Sequence, residues 1–353
     1  MRLGIMLPNW IGDLAMATPT LRALRQHFQG AEIIGLVRPY IASVLEGTRW
    51  LDRLIPWEHR GWGAIANDMR IAWRLRQERI DTFVLMRHAF TAALVARASG
   101  AQRVVGYQRF ARTWLLTDAL PMPRAHGRLV PISAVDSYLE LAYKLGCPPE
   151  SKQLELATTP ADEAAGDAIW KELRLPTGQP IIMLHTGGAY GGAKHWPVSH
   201  GAALARRIAS ELGIHVVINC GPAERGASEE MAKLANHRQV KSLAHLPPRW
   251  RTIGASKAVI RRMRLMVSTD SGPRHLAVAL GVPTITLFGP TNPTWAENYQ
   301  PDAPSLRVEL PCAPCSKRTC PLLHNRCMRD LSTDMVFEAV QRKLTSVPAR
   351  NAA

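Results

Sequence analysis

The sequence predicts an α/β protein made of two Rossmann-like domains, each with a parallel sheet. Three observations support this: the chain has 353 residues, short apolar runs alternate with helical patterns, and the alternation starts afresh after the Pro-Thr-Gly break at 176–178. One hydrophobic core rarely fills a chain of this length. Strands that alternate with helices imply parallel sheets with right-handed crossovers. We therefore expect domains at 1–176 and 177–353, facing each other across a cleft.

The elements of the first half follow from its hydrophobic periodicity. The pattern predicts, in order, strand 3–7, helix 14–27, strand 33–37, helix 64–78, strand 82–86, helix 91–98, strand 103–107, helix 134–145, strand 153–156 and helix 161–173. Three prolines between 119 and 133 predict a long loop. Pro148 and Pro149 end the helix before them.

The second half repeats the alternation. The pattern predicts strand 180–185, helix 199–212, strand 215–219, helix 229–235, helix 253–264, strand 265–268, helix 274–280, strand 284–288, a Cys-rich loop at 312–327 and a terminal helix. In open parallel sheets, ligands bind beyond the carboxyl ends of the strands. The turns from strand to helix are therefore where we look for chemistry.

Composition and charge restrict the function classes. No apolar run reaches the roughly 18 residues that cross a bilayer, and the apolar start of the chain lacks a small-residue cleavage site. We expect a cytoplasmic protein. The formal charge of +16 attracts polyanions such as nucleic acid, an anionic membrane or a phosphorylated substrate. The basic residues are dispersed rather than gathered in an arm, which argues against nucleic acid.

The first candidate, Asp13, lies in the turn that follows the first predicted strand. A carboxylate there either caps the next helix, which stabilises it by about 1 kcal/mol, or acts as a general base on a substrate hydroxyl. The position alone leaves both interpretations open. The chain has no Gly-x-Gly-x-x-Gly in this turn, so a dinucleotide fingerprint is absent.

Two further candidates follow the first strands of the second half. The loop 186–194 carries four glycines and ends in Lys194. Glycines let backbone amides approach an anion and the lysine adds a charge, so the loop predicts phosphate binding, with a flexible loop as the alternative. Glu224 follows the next strand, where an acidic residue often accepts hydrogen bonds from a ribose. A solvated glutamate at a helix start fits the sequence equally well.

The strongest candidate is the turn Ser-Thr-Asp-Ser-Gly-Pro-Arg-His at 268–275. Asp270 and the serine after it can cap the following helix, whose amides and dipole then face a diphosphate. Gly272 permits close approach, and Arg274 and His275 add cationic donors. An ordinary capped turn explains Asp270 and Gly272 but not the whole run.

Together these motifs resemble the ADP-heptose:lipopolysaccharide heptosyltransferases of glycosyltransferase family 9, chiefly their heptosyltransferase II-like members. The matching segments follow the family's order over nearly the whole chain: Gly12-Asp13, Lys194-His195-Trp196-Pro197, Asp270-Ser271-Gly272-Pro273-Arg274-His275, Gly281-Val282-Pro283 and Phe288-Gly289-Pro290-Thr291. The resemblance implies a GT-B fold and an inverting, metal-independent transfer of heptose from ADP-heptose to the lipopolysaccharide inner core. The alternatives are the same fold with another nucleotide sugar or acceptor, and a non-catalytic anion-binding relative.

The resemblance also implies roles for residues. Asp13 would deprotonate the acceptor hydroxyl and Lys194 would hold the leaving diphosphate, which makes both catalytic. The donor-binding residues would be Ala189, Tyr190, Lys194, Glu224, Asp270, Ser271, Gly272 and His275. The partners would be an ADP-sugar and an anionic lipid-linked glycan at the inner membrane surface, where the protein would sit peripherally, with no required cofactor and no nucleic acid. The loops 59–62 and 110–114 would choose the acceptor.

Four cysteines, Cys312, Cys315, Cys320 and Cys327, crowd into one short loop. A similar pattern occurs in part of the family, and such spacings suit a structural zinc or an iron–sulfur cluster. A second Cys-x-x-Cys is missing, however. The alternatives are paired disulfides, which the cytosol disfavours, or four thiols in a compact loop. The loop's basic residues face an anionic acceptor in a further interpretation.

Overall fold

The computed structural model describes residues 1–59, 61 and 63–346. The chain divides into two compact units, residues 1–156 and 157–353. Each unit is an α/β domain built on a six-stranded parallel sheet. None of the helices in the described part of the chain is long and apolar enough to cross a membrane.

The first unit has the Rossmann strand order. Its elements are β1 (Arg2–Met6), α1 (Ile11–Met16), α2 (Thr18–His27), β2 (Glu32–Val37), β3 (Arg53–Pro56), α3 (Ala64–Gln77), β4 (Thr82–Leu85), α4 (Phe90–Ala98), β5 (Arg103–Tyr107), β6 (Asp118–Leu120), β7 (Arg124–Ala125), β8 (Arg128–Leu129) and α5 (Ala134–Lys144). The sheet order is β3-β2-β1-β4-β5-β6, and β7 and β8 form a separate hairpin. The order reverses between β1 and β4, where an open sheet of this type binds ligands.

Three sequence predictions for this unit differ from the structure. The predicted helix 14–27 is two helices, because Pro19 in the first turn of α2 removes an amide donor. The predicted strand 153–156 is not a strand, since its backbone bonds to α2: the Arg22 guanidinium donates to the Gln153 carbonyl at 3.2 Å, and the Glu155 amide donates to the Thr18 hydroxyl at 3.1 Å. The predicted loop 119–133 contains the hairpin and the end of β6.

The second unit repeats the same topology. Its elements are α6 (Pro160–Glu172), β9 (Ile181–His185), α7 (Val198–Leu212), β10 (His215–Ile218), α8 (Arg225–Ala235), β11 (Val240–Ser242), α9 (Ile253–Arg261), β12 (Leu265–Thr269), α10 (Gly272–Ala279), β13 (Thr284–Phe288), β14 (Ser305–Arg307), α11 (Arg326–Arg329) and α12 (Thr333–Ser346). The sheet order is β11-β10-β9-β12-β13-β14. Its switch point lies between β9 and β12.

The division between the two units lies on the amino-terminal side of helix α6, and so before the predicted boundary at 176. Helix α6 packs against α9 of the second unit, with the Arg262 guanidinium 2.8 Å from both Glu163 and Asp167. A Cβ added to Gly166 would lie 2.9 Å from the Cβ of Ala258, so the glycine lets the two helices approach closely. The helix therefore belongs with the second unit, whereas the predicted boundary at 176 places it in the first.

Candidate active site

The candidate donor site of the second unit gathers at the carboxyl ends of β9, β10 and β12. The glycine loop after β9 lies against the other two elements: a Cβ added to Gly187 would overlap the Glu224 carboxyl, and one added to Gly188 would lie 3.6 Å from the Cβ of Ser271. The Thr269 hydroxyl donates to the Gly187 carbonyl. A side chain at 187 would therefore displace the Glu224 carboxyl from its position in the site.

A buried ion pair joins the loop to the turn after β12. The Lys194 ammonium donates to the Asp270 carboxylate at 2.7 Å and to its backbone carbonyl at 2.9 Å, and the Thr291 hydroxyl donates to the same carboxylate oxygen at 2.8 Å. Both charged side chains are buried. Burial alone would raise the pKa of Asp270, but the charges of Lys194 and Arg274 outweigh it and lower the pKa below its ordinary value. Asp270 is therefore an anion that holds Lys194 in place.

Tyr190 links the glycine loop to the Cys-rich loop. Its hydroxyl donates to the Ser316 carbonyl at 2.7 Å, and the Lys194 ammonium lies 4.6 Å from its ring centroid. The Ala193 amide donates to the Arg318 carbonyl at 3.0 Å. Ala189 is exposed in the same loop. Residues of the Cys-rich loop thus support the segment that carries Lys194.

Glu224 lies beside a buried histidine. Its carboxylate accepts a hydrogen bond from the Gly221 amide at 2.7 Å and lies 3.8 Å from the Nε2 atom of His185. Burial lowers the pKa of His185, and the charge of Glu224 offsets only part of that effect. His185 is therefore neutral at physiological pH and packs behind Glu224 without neutralising it.

The predicted capping of α10 by Asp270 and Ser271 is wrong. Ser271 does occupy the N-cap position, but among the described residues its hydroxyl bonds only to Ser268 and to the Thr269 carbonyl, each at 3.2 Å. Asp270 is engaged by Lys194 instead. The first-turn amides of α10 thus lack the expected side-chain cap, and such amides favour an anion.

Arg274 and His275 do not supply the cationic donors that the sequence suggested. Arg274 is buried and ties α10 to β13, because its guanidinium donates to the Thr286 hydroxyl at 3.1 Å and to the Ala296 carbonyl. Burial, together with the charge of Arg274, lowers the pKa of His275 well below its ordinary value, so the imidazole is neutral. Its Nδ1 atom has no hydrogen-bond partner in the described part of the chain. A buried polar atom left in this way favours a bound polar group.

Asp13 lies in the first turn of α1, at the carboxyl end of β1. The N-cap of this helix is Trp10, so Asp13 is not the cap that one interpretation of the sequence proposed. Its side chain is half-buried. Burial, followed by the negative charge of Asp13, raises the pKa of Tyr138 well above its ordinary value. The carboxylate thus stands at the switch point of the first sheet.

A group of basic side chains at the same edge of the first sheet was not predicted from the sequence. Arg38 follows β2, and Arg87 and His88 follow β4; in each, one buried ring or guanidinium nitrogen has no partner among the described residues. Burial, and then the charge of Arg38, lowers the pKa of Arg87 to about 10. Burial, and then the charges of Arg112 and Arg109, lowers the pKa of His88 to about 4. The available signal was a basic residue directly after each of these strands.

Of the predicted acceptor loops, the first is only partly described, since Arg60 and Trp62 lie outside the described residues. His59 contacts Asp68, with 2.6 Å between Nδ1 and the carboxylate. In the second loop Arg112 is fully buried and donates to the Arg87 carbonyl at 2.6 Å and to the Tyr107 carbonyl at 3.1 Å. It therefore braces the backbone that carries Arg87.

The four clustered cysteines are free thiols, and Cys327 lies within electrostatic range of the other three. Burial, and then the neighbouring thiols of Cys315, Cys320 and Cys312, raises the pKa of Cys327. Backbone amides of the segment 322–325, led by that of Asn325, lower the pKa of Cys320. Within the described ranges, no group of three or more His, Cys, Asp or Glu side chains is arranged to hold a metal ion. A structural zinc or iron–sulfur cluster at these cysteines stays a prediction.

Comparison with known proteins agrees with the resemblance. Residues 68–325 match the family model for Glycosyltransferase family 9 (heptosyltransferase). Lipooligosaccharide heptosyltransferase 2 of Campylobacter jejuni serotype O:2 is 27% identical and aligns over 98% of each chain. Lipopolysaccharide heptosyltransferase 1 of Pseudomonas aeruginosa is 28% identical over 91% of this chain and 87% of that one.

Among solved structures, the Escherichia coli ADP-heptose lps heptosyltransferase II superposes with a TM-score of 0.79, at 23% identity, over 98% of this chain and 99% of that one. The likeness over both chains confirms the predicted α/β fold of the GT-B type. The family model covers well over half of the sequence. The chain therefore belongs to glycosyltransferase family 9, the heptosyltransferases, and is a glycosyltransferase.

Proposed function

We propose that this protein transfers heptose from ADP-heptose to the inner core of lipopolysaccharide, with inversion at the anomeric carbon and without a catalytic metal. The observation that carries the proposal is the buried Lys194–Asp270 pair, set between a glycine loop and the amino end of α10. In a chain of family 9, this is the arrangement expected of a diphosphate site.

The donor diphosphate would bind to backbone amides of the glycine loop and of the first turn of α10. Negative charge grows on the departing diphosphate in the transition state, and groups aimed at that charge lower the barrier. Lys194 supplies the cationic group. Because Asp270 fixes the ammonium on one side, the lysine is oriented before the donor binds, which avoids the cost of ordering a flexible side chain.

Neighbouring side chains would bind the ribose and the sugar of the donor. Glu224 would accept hydrogen bonds from the adenosine ribose, since its carboxylate lies beside the glycine loop and the neutral His185 leaves its charge intact. His275 would offer its unpartnered Nδ1 atom to the sugar or a phosphate oxygen. Gly272 and Ser271 would let the donor approach the helix end closely.

Asp13 would be the general base. Inversion requires one displacement, in which the acceptor oxygen attacks the anomeric carbon as the bond to the diphosphate breaks. The acceptor proton passes to the Asp13 carboxylate, and the electron pair of the broken bond leaves with ADP. A half-buried carboxylate in a strand-end turn can reach a substrate hydroxyl.

The acceptor would bind through anionic groups at the basic edge of the first sheet. Buried guanidinium nitrogens without partners cost free energy unless an anion pairs with them. Arg38 and Arg87 are therefore suited to a phosphate or a sugar carboxylate of the lipid-linked glycan. An acceptor of this type would place the protein peripherally at the cytoplasmic face of the inner membrane.

The test is transfer by the purified protein from ADP-heptose to defined core acceptors, one without heptose and one that already carries the first heptose. We expect one acceptor to be consumed, with inverted configuration in the product by NMR. Consumption of another nucleotide sugar instead would disprove the donor. An Asp13→Ala variant that binds ADP normally but is inactive would separate the enzyme from a non-catalytic anion-binding protein.

A further inference from the structure

Helix α3 carries a second apolar face that is exposed in the described part of the chain. One face, with Ile71, Ala72 and Leu75, is buried in the core of the first unit. On the other side Ile65, Met69 and Trp73 are 75%, 69% and 65% exposed. A surface helix needs only one apolar face to fold, so this stripe requires another explanation.

The stripe is continuous along the helix. Its members follow one another at intervals of four residues, so each side chain lies only roughly 40° around the helix from the last. Arg70 and Arg74 each come one residue after a member of the stripe, which places them along its flank. An exposed apolar stripe beside a basic one is typical of helices that lie in the interface of a membrane.

The neighbouring helix enlarges the surface. Helix α4 packs beside α3, and its Phe90 and Leu94 are exposed. The exposed Trp114 ring lies 6.3 Å from that of Phe90. We call Ile65, Met69, Trp73, Phe90, Leu94 and Trp114 the α3–α4 patch. Single exposed apolar residues are ordinary, whereas six on two packed helices and the loop at 110–114, with three aromatic rings among them, favour an interaction site.

The positive charge around the α3–α4 patch favours an anionic partner. From Met69 to Gln77 the chain has three arginines and no Asp or Glu, and from Thr82 to Thr117 it again has no acidic residue. Some exposed arginines of this unit are paired, as Arg53 is with Glu78 at 2.6 Å. Arg70 and Arg76 have no ion pair in the part of the chain that the structure describes. This excess of unpaired cations suits a surface of anionic headgroups.

The position of the patch also suits a membrane-linked substrate. Helices α3 and α4 follow β3 and β4, so their amino ends, with Ile65 and Phe90, lie at the carboxyl edge of the first sheet. Arg87 and His88 lie at that same edge, directly before α4. A lipid-linked acceptor whose lipid lies against the patch would therefore bring its anionic sugars toward Arg87.

We propose that the α3–α4 patch docks the first unit on an anionic lipid bilayer. The aromatic and aliphatic side chains insert at the level of the headgroups, while Arg70, Arg74 and Arg76 bind lipid phosphates. This inference rests on the proposed transfer to a lipid-linked acceptor, but binding to vesicles that contain no sugar substrate tests it separately.

The experiment is co-sedimentation of the full chain with vesicles of phosphatidylcholine, alone or mixed with phosphatidylglycerol. We expect binding to the mixed vesicles, a roughly tenfold loss in Met69→Ser/Trp73→Ser, and a similar loss in Arg70→Gln/Arg74→Gln. The matched control is Leu234→Ser/Met335→Ser, which removes two exposed apolar side chains from the second unit and should bind like the wild type. All variants change exposed positions, so circular dichroism should show unaltered folding.

Two outcomes would overturn the proposal: wild-type protein that binds neither vesicle, or a Met69→Ser/Trp73→Ser variant that binds as well as wild type. The alternative partner of the patch is a second copy of this chain, and light scattering tests for such a dimer. If the wild type is a dimer and this variant a monomer, the patch is a contact between copies and the lipid assignment fails. Vesicle binding without heptosyl transfer would disprove the proposed function and leave this inference standing.

Discussion

Replacement of Asp270 by asparagine tests the interpretation of the buried pair most directly. The substitution keeps the size of the side chain but removes the charge that faces Lys194 at 2.7 Å. The ammonium stays buried and keeps only neutral acceptors, among them the Asp270 backbone carbonyl at 2.9 Å. We therefore expect a loss of stability that is much larger than for an exposed ion pair.

The magnitude follows from the geometry. At 2.7 Å and an effective dielectric constant of about 20, the Coulomb attraction is about 6 kcal/mol. Desolvation of both charges offsets much of this attraction, but removal of one partner leaves an uncompensated buried charge, which costs about 3–5 kcal/mol. We expect Asp270→Asn to lower the free energy of unfolding by about 3 kcal/mol, near the lower limit of that range, because asparagine still accepts a hydrogen bond.

The assay is urea unfolding of a double-mutant cycle made of Asp270→Asn, Lys194→Met and the combined variant. The two single substitutions should be less than additive, with a coupling above about 1 kcal/mol. The matched control is Glu309→Gln, which breaks the exposed pair with Arg307 and should change the stability by less than about 0.5 kcal/mol. A coupling as small as that of the exposed pair would refute the assignment of Lys194 and Asp270 as a buried ion pair.

The Lys194–Asp270 pair also predicts how the stability of the protein depends on pH. Because the folded state holds the pKa of Asp270 below its ordinary value of 3.8, its contribution to stability is fully present above pH 3.8. It is lost as the pH falls through the lower folded-state pKa. The difference in stability between wild type and Asp270→Asn should therefore be constant near neutrality and shrink only in strong acid. A difference that disappears between pH 6 and pH 8 would point to another group.

Three further substitutions and one treatment test the proposed mechanism. Asp13→Asn should lower kcat by roughly 10²–10⁴ while ADP binding measured by calorimetry is unchanged; near-normal kcat would remove Asp13 as the base. Arg87→Gln should raise KM for the acceptor about tenfold, because one charge-assisted hydrogen bond is lost, and leave KM for the donor unchanged. The exposed Arg342→Gln is its control, and an equal rise for both substrates would contradict an acceptor role. Glu224→Gln should abolish the preference for ADP over 2′-deoxy-ADP in competition binding, since the ribose hydroxyls lose their anionic acceptor; a preserved preference would exclude Glu224 as the ribose ligand. Transfer should survive incubation with EDTA, because Lys194 and backbone amides meet the diphosphate charge, and a loss that a divalent cation restores would disprove metal independence.

The sequence predicted the central strands of both sheets but not the edges. Strands β1, β9 and β12 are buried along nearly their whole length and therefore read as continuous apolar runs. Strands β11 and β14 are three residues long, and β14 has two exposed residues, so their sequences show no clear pattern. The boundary at 176 was placed on a Pro-Gly signal, whereas the packing of α6 depends on contacts with α9 that are distant in sequence.

Motifs located the donor turn, but they did not show which atoms pair there. Asp270 and Arg274 stand in the same motif, and sequence proximity suggested that both serve the ligand. The helix that begins at Gly272 carries Arg274 into the interior toward β13, and the charge that Asp270 meets comes from Lys194, far along the chain. The basic edge of the first unit was missed for a related reason. Arg38 and Arg87 each look like solvated residues after a strand, and only the order β2-β1-β4 brings the two turns together.

The two sheets have the same strand order, yet the net charge at their ligand-binding edges differs. In the second unit the lysine is paired with Asp270, so the local charge is nearly balanced and a donor diphosphate must be held largely by backbone amides and a helix end. In the first unit, Arg38 and Arg87 each leave one buried nitrogen without a partner among the described residues, and the edge carries an excess of positive charge. Under the proposed function, a balanced site would release ADP after each turnover, because its charge does not depend on a bound anion. An unbalanced site would instead attract a multiply charged glycan, and the exposed arginines of α3 would, in the proposed docking, extend that attraction toward the membrane that anchors such a glycan.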